Sequence, residues 1–160
     1  MGRLDGKIAL IVGGGADGPP NAGEQLSIGN GRATAIMCAR EGASVMVADL
    51  NLALAEETAG AISAAGGIAH AIACDVSREE DCRRAVEETV ARFGAIHLMV
   101  NNVGIAIGGA LLRTATDQFD RMYTVNLRGQ FLTMRYAVPE MIKAGGGAIV
   151  NVSSLSAVMA

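Results

Sequence analysis

The sequence predicts an α/β chain, a doubly wound parallel sheet flanked by helices on both faces. Three observations carry that prediction. Five apolar runs of strand length alternate with stretches of helical periodicity along the 160 residues. The runs are nearly continuous in apolar residues, the pattern of strands buried on both faces. Glycine or polar signals follow them: Gly13-Gly14-Gly15, Asp49-Leu50, Cys74-Asp75-Val76, Asn101-Asn102-Val103-Gly104 and Ser153-Ser154. Ligands of open α/β sheets collect at the carboxyl ends of strands, so these signals predict a crevice there.

Each element has a local cause. Lys7–Val12 is the first strand, rich in Ile, Leu and Val, and it ends at glycines. From Arg32 to Glu41, Ala33, Ile36, Met37 and Arg40 stand three or four apart, the spacing of a helix. Ser44–Ala48 is the second strand. Asn51 is placed to cap a helix running to about Ala65, which Gly66-Gly67 ends. Ile68–Ala73 is the third strand. Ser77 with Glu80 three residues on predicts a capping box, opening a helix with Cys82, Val86, Val90 and Phe93 on one face. Gly94 ends it, and Ile96–Val100 is the fourth strand. A helix from about Thr116 bends near Val125–Asn126. Beyond the bend, Leu127, Phe131, Met134, Val138 and Met141 recur at helical spacing and predict a buried stripe, with Pro139 kinking its last turn. Gly145-Gly146-Gly147 stops the helix, and Ala148–Val152 is the fifth strand. Helical links between such runs imply right-handed βαβ crossovers. Nothing marks a linker, so residues 1–160 are expected to form a single domain with an inserted loop at about 16–28.

Composition narrows the function classes. Hydrophobic residues make up 51% and charged residues 18%, which excludes a disordered chain. The net charge of −3 comes from interspersed acids and bases, without the clustered Lys and Arg of a nucleic-acid footprint. Cys38, Cys74 and Cys82 form no CxxC and no metal spacing; they read as small buried hydrophobes of a reducing compartment. His70 and His97 read as structural, so no metal is expected. No run approaches the ~18 apolar residues that span a bilayer, and Arg3, Asp5 and Lys7 ahead of a strand-like run do not read as a signal peptide. The expected site is cytoplasmic, with no membrane partner.

A strand, a glycine turn and a helix amino terminus together make an anion site. Gly13 and Gly15 end the first strand, and Ile28, Gly29 and Gly31 lead into the next helix. Between them, Ala16–Ile28 is longer than a dinucleotide turn requires, and it is expected to cover the pyrophosphate or to bulge into solvent. Asp49 ends the second strand 18 residues after Gly31, near the ~20-residue offset of an acid that binds a ribose 2′-hydroxyl. A carboxylate accepts from a diol and repels a 2′-phosphate, and Leu50 offers no basic substitute. NAD is therefore favoured over NADP, although Arg32 or Arg40 would admit a phosphate if the loop reshaped the pocket.

With these residues in place, the chain resembles the short-chain dehydrogenase/reductase family from about Leu4 onward. The family's TGxxxGxG motif is split here: Val12 replaces its Thr, Gly13 matches its first glycine, and Gly29 and Gly31 match the later pair. Asp75 resembles the acid that contacts adenine, with Val76 beside it. Asn101-Asn102-Val103-Gly104 is similar to the family's NNAG, in which Asn101 is expected to bridge strands as well as serve the cofactor. Asn126 matches the Asn of the catalytic tetrad and Ser154 its Ser. The resemblance implies a Rossmann-like sheet and hydride transfer between a nicotinamide and an alcohol or ketone, with Ser154 polarising the carbonyl and Asn126 holding a water in a proton relay. Subunit pairing into a homodimer or homotetramer is implied for the helix Leu127–Met141. The family's Tyr-x-x-x-Lys pair is absent: Tyr123 and Tyr136 both precede Ser154, and neither has Lys four residues on. Residues 1–160 are therefore expected to be an incomplete, inactive catalyst. Ser27-Ile28-Gly29-Asn30-Gly31 also resembles an element of the divergent enoyl-acyl-carrier-protein reductases. An enoyl-thioester reductase and a non-catalytic NAD-binding module thus stand as alternatives, and a sugar-nucleotide epimerase is disfavoured by the glycine spacing.

Overall fold

The computed structural model describes residues 2–16 and 27–154. Its strands are β1 (Ile8–Val12), β2 (Ser44–Asp49), β3 (Ile68–Ala73), β4 (Leu98–Asn101) and β5 (Ala148–Asn151). They pair in parallel in the order β3-β2-β1-β4-β5. The helices are α1 (Asn30–Arg40), α2 (Leu52–Ala64), α3 (Glu79–Phe93), α4 (Thr116–Tyr123) and α5 (Gly129–Lys143). A 3-10 turn at Leu111–Arg113 precedes α4, and a π-helical turn at Thr124–Arg128 joins α4 to α5. The bend foreseen near Val125–Asn126 is therefore a widened turn, and the Rossmann-like fold class read from the sequence is the one observed.

Side chains alternate across a strand, and this sorts the core into two layers. Leu10, Val12, Met46, Ala48 and Met99 cluster with Cys82, Val86, Leu132, Ala137 and Met141 of α3 and α5. Their neighbours Ala9, Ile11, Val45, Val47 and Val100 cluster with Ala35, Cys38, Ala55, Ala59 and Ile62 of α1 and α2. Each large aliphatic side chain so buried contributes about 1.5–3 kcal/mol. Two-sided burial is why β1, β2 and β4 read as continuous apolar runs; β3 and β5, at the two edges of the sheet, are largely open to solvent. The three cysteines are buried free thiols. His97 is architectural: its Nδ1 accepts the Ile8 N–H at 3.1 Å, tying the start of β1 to the residue before β4.

Two local expectations need correction. The capping box at Ser77 does not form. The Ser77 N–H and hydroxyl both donate to Asp75 Oδ1, at 2.9 and 2.7 Å, while Glu80 pairs with Arg83 at 2.6 Å. A carboxylate two residues upstream competes at short range for the Ser77 donors, so α3 begins one residue later, with Glu79, Glu80 and Asp81 in its first turn complementing the dipole. The stripe read along this helix is buried only in part, at Met141 and, packed half-buried against the core, at Met134. Leu127, Phe131 and Val138 are exposed, and the buried residues are Gly129, Leu132, Thr133, Ala137 and Met141. Small residues let α5 sit close to its neighbours; a Cβ on Gly129 would stand 2.9 Å from the Val76 side chain. Phe131 and Val138 are left outside, and α5 continues through Pro139 to Lys143.

The register fixes where the site lies. Val12 pairs with Ala48 on β2 and with Asn101 on β4, and Asn101 pairs with Asn151 on β5. These strands thus finish level at one edge. From central β1 the chain winds to β2 and β3 on one side and to β4 and β5 on the other, so a crevice opens at the reversal. Residues 17–26 of the inserted loop lie outside the described residues, and so does its reading as a pyrophosphate cover. No helix among the described residues is long and apolar enough to cross a membrane.

Candidate cofactor crevice and active site

The glycine turn is built by close approach. Gly13 has φ +81°, in the left-handed region, and its N–H donates to the Ala48 carbonyl at 2.8 Å. A Cβ on Gly31 would run into the Gly13 carbonyl, so the first turn of α1 rests directly on the end of β1. The Asn102 amide donates to that same carbonyl at 3.1 Å. Helix α1 starts after Gly29 with no side-chain cap and no acid in its first turn. Its first N–H groups are therefore available to an anion.

Asp49 stands at the end of β2 facing this turn. Its Oδ2 accepts the Gly15 N–H at 2.8 Å and its Oδ1 accepts the Asn51 N–H at 3.0 Å. Asn51 in turn caps α2, its side chain accepting from Ala53. Two backbone donors hold the carboxylate in one orientation and leave each oxygen a further lone pair for a sugar hydroxyl.

A crevice of about 730 Å³ runs along these strand ends. Gly13, Gly15, Gly29 and Gly31 form its phosphate end, Asp49 and Leu50 its β2 side, Asp75 and Val76 its β3 side, and Val103 and Gly104 its β4 side. Cys74 also lines it, its thiol held well above the ordinary range by a hydrogen bond to Cys82 and by burial. A second cavity of about 520 Å³ shares Asn30, Asn102, Val103 and Gly104 with the first and extends to Asn126, Gln130 and Ser153. The two form a bipartite groove on either side of the β4 loop. Ile28, half exposed at the foot of α1, lines neither part.

On the second side, the π turn presents Asn126. Its amide donates to the Ile105 carbonyl and accepts the Ile105 N–H, both at 2.8 Å, a reciprocal pair that pins the loop after β4. A π turn carries one residue more than an α turn, and such turns concentrate at functional sites. Ser153 lines the groove; Ser154, exposed, follows it at the end of the described chain.

Asn101 and Asn102 divide their labour by strand alternation. Asn101 is buried, donating to Asn151 Oδ1 and accepting from the Thr133 hydroxyl, each at 2.8 Å. This is the strand bridge expected of it. Asn102 is the residue that reaches the groove wall, and sequence reasoning passed over it; period-2 counting from β4 would have found it. Arg32 is turned away from the groove. Its guanidinium is wholly buried against Thr58, Leu54, Glu57 and the Ser27 carbonyl, so it is not available to a phosphate in this conformation.

The residues present fit a dinucleotide. Glycines stand where side chains would fill the turn, an uncapped helix end meets it, and a fixed carboxylate lies on the β2 side. A model of the short chain dehydrogenase family matches residues 26–160. The chain belongs to that family. The match begins after the first glycine pair, where the insertion interrupts the motif. The chain is 38% identical over 157 residues to a cyclohexanol dehydrogenase of Acinetobacter sp., covering 96% of this chain and 57% of that one. A crystal structure from Burkholderia xenovorans, described as a short-chain dehydrogenase/reductase, superposes with a TM-score of 0.91 at 39% identity, covering 100% of this chain and 60% of that one. A 7α-hydroxysteroid dehydrogenase complexed with NADH and 7-oxo glycochenodeoxycholic acid gives 0.88 at 32% identity, covering 99% and 57%. The chain spans little more than half the length of the curated relatives it matches, 57, 55 and 53% of the first three.

Proposed function

We propose that this short-chain dehydrogenase is an oxidoreductase that interconverts an alcohol and a ketone, with NAD as its cofactor. The observation that carries the cofactor choice is the Asp49 carboxylate, fixed by the Gly15 and Asn51 N–H groups on the groove wall. It accepts from a ribose diol and repels a 2′-phosphate. Asp75 and Val76 flank the adenine, and Gly13, Gly15, Gly29 and Gly31 with the amino end of α1 receive the pyrophosphate. When bound, the nicotinamide supplies hydride acceptance or donation. The substrate class draws support from the cyclohexanol dehydrogenase relative and from the steroid dehydrogenase neighbour with its 7-oxo ligand.

In this reading Ser154 donates to the substrate oxygen and stabilises charge growing on it. Asn126, held by Ile105, keeps the π turn in place and orients a water for proton transfer. Residues 1–160 hold no Tyr-x-x-x-Lys, and alone they bind cofactor without turnover. The exposed Leu127 of the π turn with Phe131 and Val138 of α5 suit a subunit interface, and the assembly is a homodimer or homotetramer in a cytoplasmic setting.

The test is a titration of residues 1–160 with NADH and NADPH, followed by an activity screen of the intact gene product against secondary alcohols, ketones and enoyl thioesters. Saturable NADH binding at least tenfold tighter than NADPH, with alcohol oxidation by the intact protein, is the expected result. A preference for NADPH, or turnover of enoyl thioesters alone, overturns the proposal.

A further inference from the structure

Among the described residues, Arg32 is the only charged side chain that is buried, with 0% exposure. Burying a guanidinium is costly unless its donors are satisfied. Here they reach four acceptors in two segments. Nε donates to Thr58 Oγ1 at 2.9 Å, Nη1 to the Ser27 carbonyl at 2.8 Å, and Nη2 to the Leu54 carbonyl and Glu57 Oε2 at 3.2 and 3.0 Å. Ser27 is the first described residue at the returning end of the inserted loop, and Leu54, Glu57 and Thr58 belong to the first half of α2. The Thr58 hydroxyl, accepting from Arg32, stands 2.9 Å from the Gly14 carbonyl and 3.0 Å from the Leu54 carbonyl; Leu54 already accepts from Arg32, which leaves the one hydroxyl proton to Gly14. The next N–H along the chain, that of Gly15, is the one that orients Asp49.

We propose that Arg32 is a positioning residue for the ribose end of the groove. Through Thr58 it fixes the Gly14-Gly15 peptide and hence the Asp49 carboxylate, and through Ser27 it anchors the returning end of the inserted loop. The inference rests on the NAD reading but adds a residue that touches no cofactor. Lysine cannot substitute, because a single ammonium lacks the planar fork that reaches Ser27 and three residues of α2 at once. Glu57 offsets the charge, yet three of the four donations go to a hydroxyl and two carbonyls. The clamp thus sets shape at least as much as it neutralises charge.

The consequence concerns one hydroxyl. If Asp49 is held by this chain of contacts, the protein distinguishes ADP-ribose from its analogue lacking the adenosine 2′-hydroxyl, and loosening the clamp erases the distinction. A hydrogen bond to a charged acceptor corresponds to roughly ten- to hundredfold in affinity. The experiment measures dissociation constants of both ligands for the intact wild-type protein, Arg32→Lys and Thr58→Val. Thr58→Val keeps the side-chain shape and deletes only the relay hydroxyl, so it serves where Arg32→Lys fails to fold. The wild type is expected to favour ADP-ribose at least tenfold, and the variants no more than about threefold, with circular dichroism unchanged. Variants that weaken both ligands equally and keep the wild-type ratio overturn the positioning role while leaving the NAD reading intact. A wild type that binds neither ligand overturns both.

Discussion

The substitution Asp49→Asn isolates the charge at the end of β2 from its shape. Both carboxylate oxygens accept backbone N–H groups, from Gly15 at 2.8 Å and from Asn51 at 3.0 Å. A carboxamide has one oxygen, so in either orientation its NH₂ must face one of those donors. One backbone hydrogen bond is lost, costing about 1 kcal/mol of stability. A sugar hydroxyl that bonded a charged acceptor now meets a neutral one, which weakens NAD by about 1 kcal/mol. A 2′-phosphate gains about as much by losing a like charge roughly 5 Å away in a partly solvated site. The two changes move the ratio of NAD to NADP dissociation constants by roughly thirtyfold toward NADP. Fluorescence titration with NADH and NADPH reads the ratio, and thermal denaturation reads the stability separately. A ratio that moves less than threefold while the melting temperature falls would show that Asp49 only braces the turn, and the cofactor argument would be wrong.

Three other outcomes follow from the same geometry. Gly31→Ala drives a methyl into the Gly13 carbonyl, a backbone atom that cannot step aside; calorimetry should record a loss of about 1–3 kcal/mol together with weakened dinucleotide binding, and an unperturbed variant would discredit the close approach of α1 to β1. Thr133→Val keeps the shape of the side chain but leaves the buried Asn101 amide oxygen without its 2.8 Å donor, so urea denaturation should show a loss of about 1–3 kcal/mol. Tyr136 donates to Glu79 Oε1 at 2.7 Å, and that bond, with burial and the nearby negative charge, raises its phenol above the ordinary range. Because the folded value is the higher one, the contribution to stability is complete below pH about 10 and is lost as pH rises through the folded value. In a Tyr123→Phe background, ultraviolet titration should place the remaining phenol above a free tyrosine, and Glu79→Gln should bring it down.

The strands and their order of appearance were legible because β1, β2 and β4 are buried on both faces. Continuous Ile, Leu and Val runs that end at Gly, Asp or Asn fit the interior of a parallel sheet and little else. The groove was legible for the same reason: Gly13, Asp49, Asp75 and Gly104 mark strand ends or the turn that follows, and Gly31 marks the first turn of α1. The face of α5 was legible only in part, at Met134 and Met141. Its large apolar residues recur at a helical spacing, but the neighbouring row of Gly129, Thr133 and Ala137 permits closer approach, and proximity to the sheet won over side-chain size. The capping box failed because Asp75 is nearer to Ser77 than Glu80 is. Arg32 gave no warning, since an arginine in a first helical turn reads as a surface residue until Thr58 and Glu57 are placed beside it in space.

The widened turn at Thr124–Arg128 ties chain length to chemistry. Successive residues of a regular helix are about 100° apart around its axis. The π turn holds one residue more than an α turn, so losing one residue here lets it close to α geometry with α4 and α5 still in phase. Leu132, Ala137 and Met141 would stay on the sheet, while residues within the turn would rotate by up to about 100° and Asn126 would swing off Ile105. The extra residue thus serves the loop after β4 and not the packing of α5. A frame-preserving codon deletion in this stretch should leave the fold standing and release that loop, whereas the same deletion within α5 should dephase its packed face.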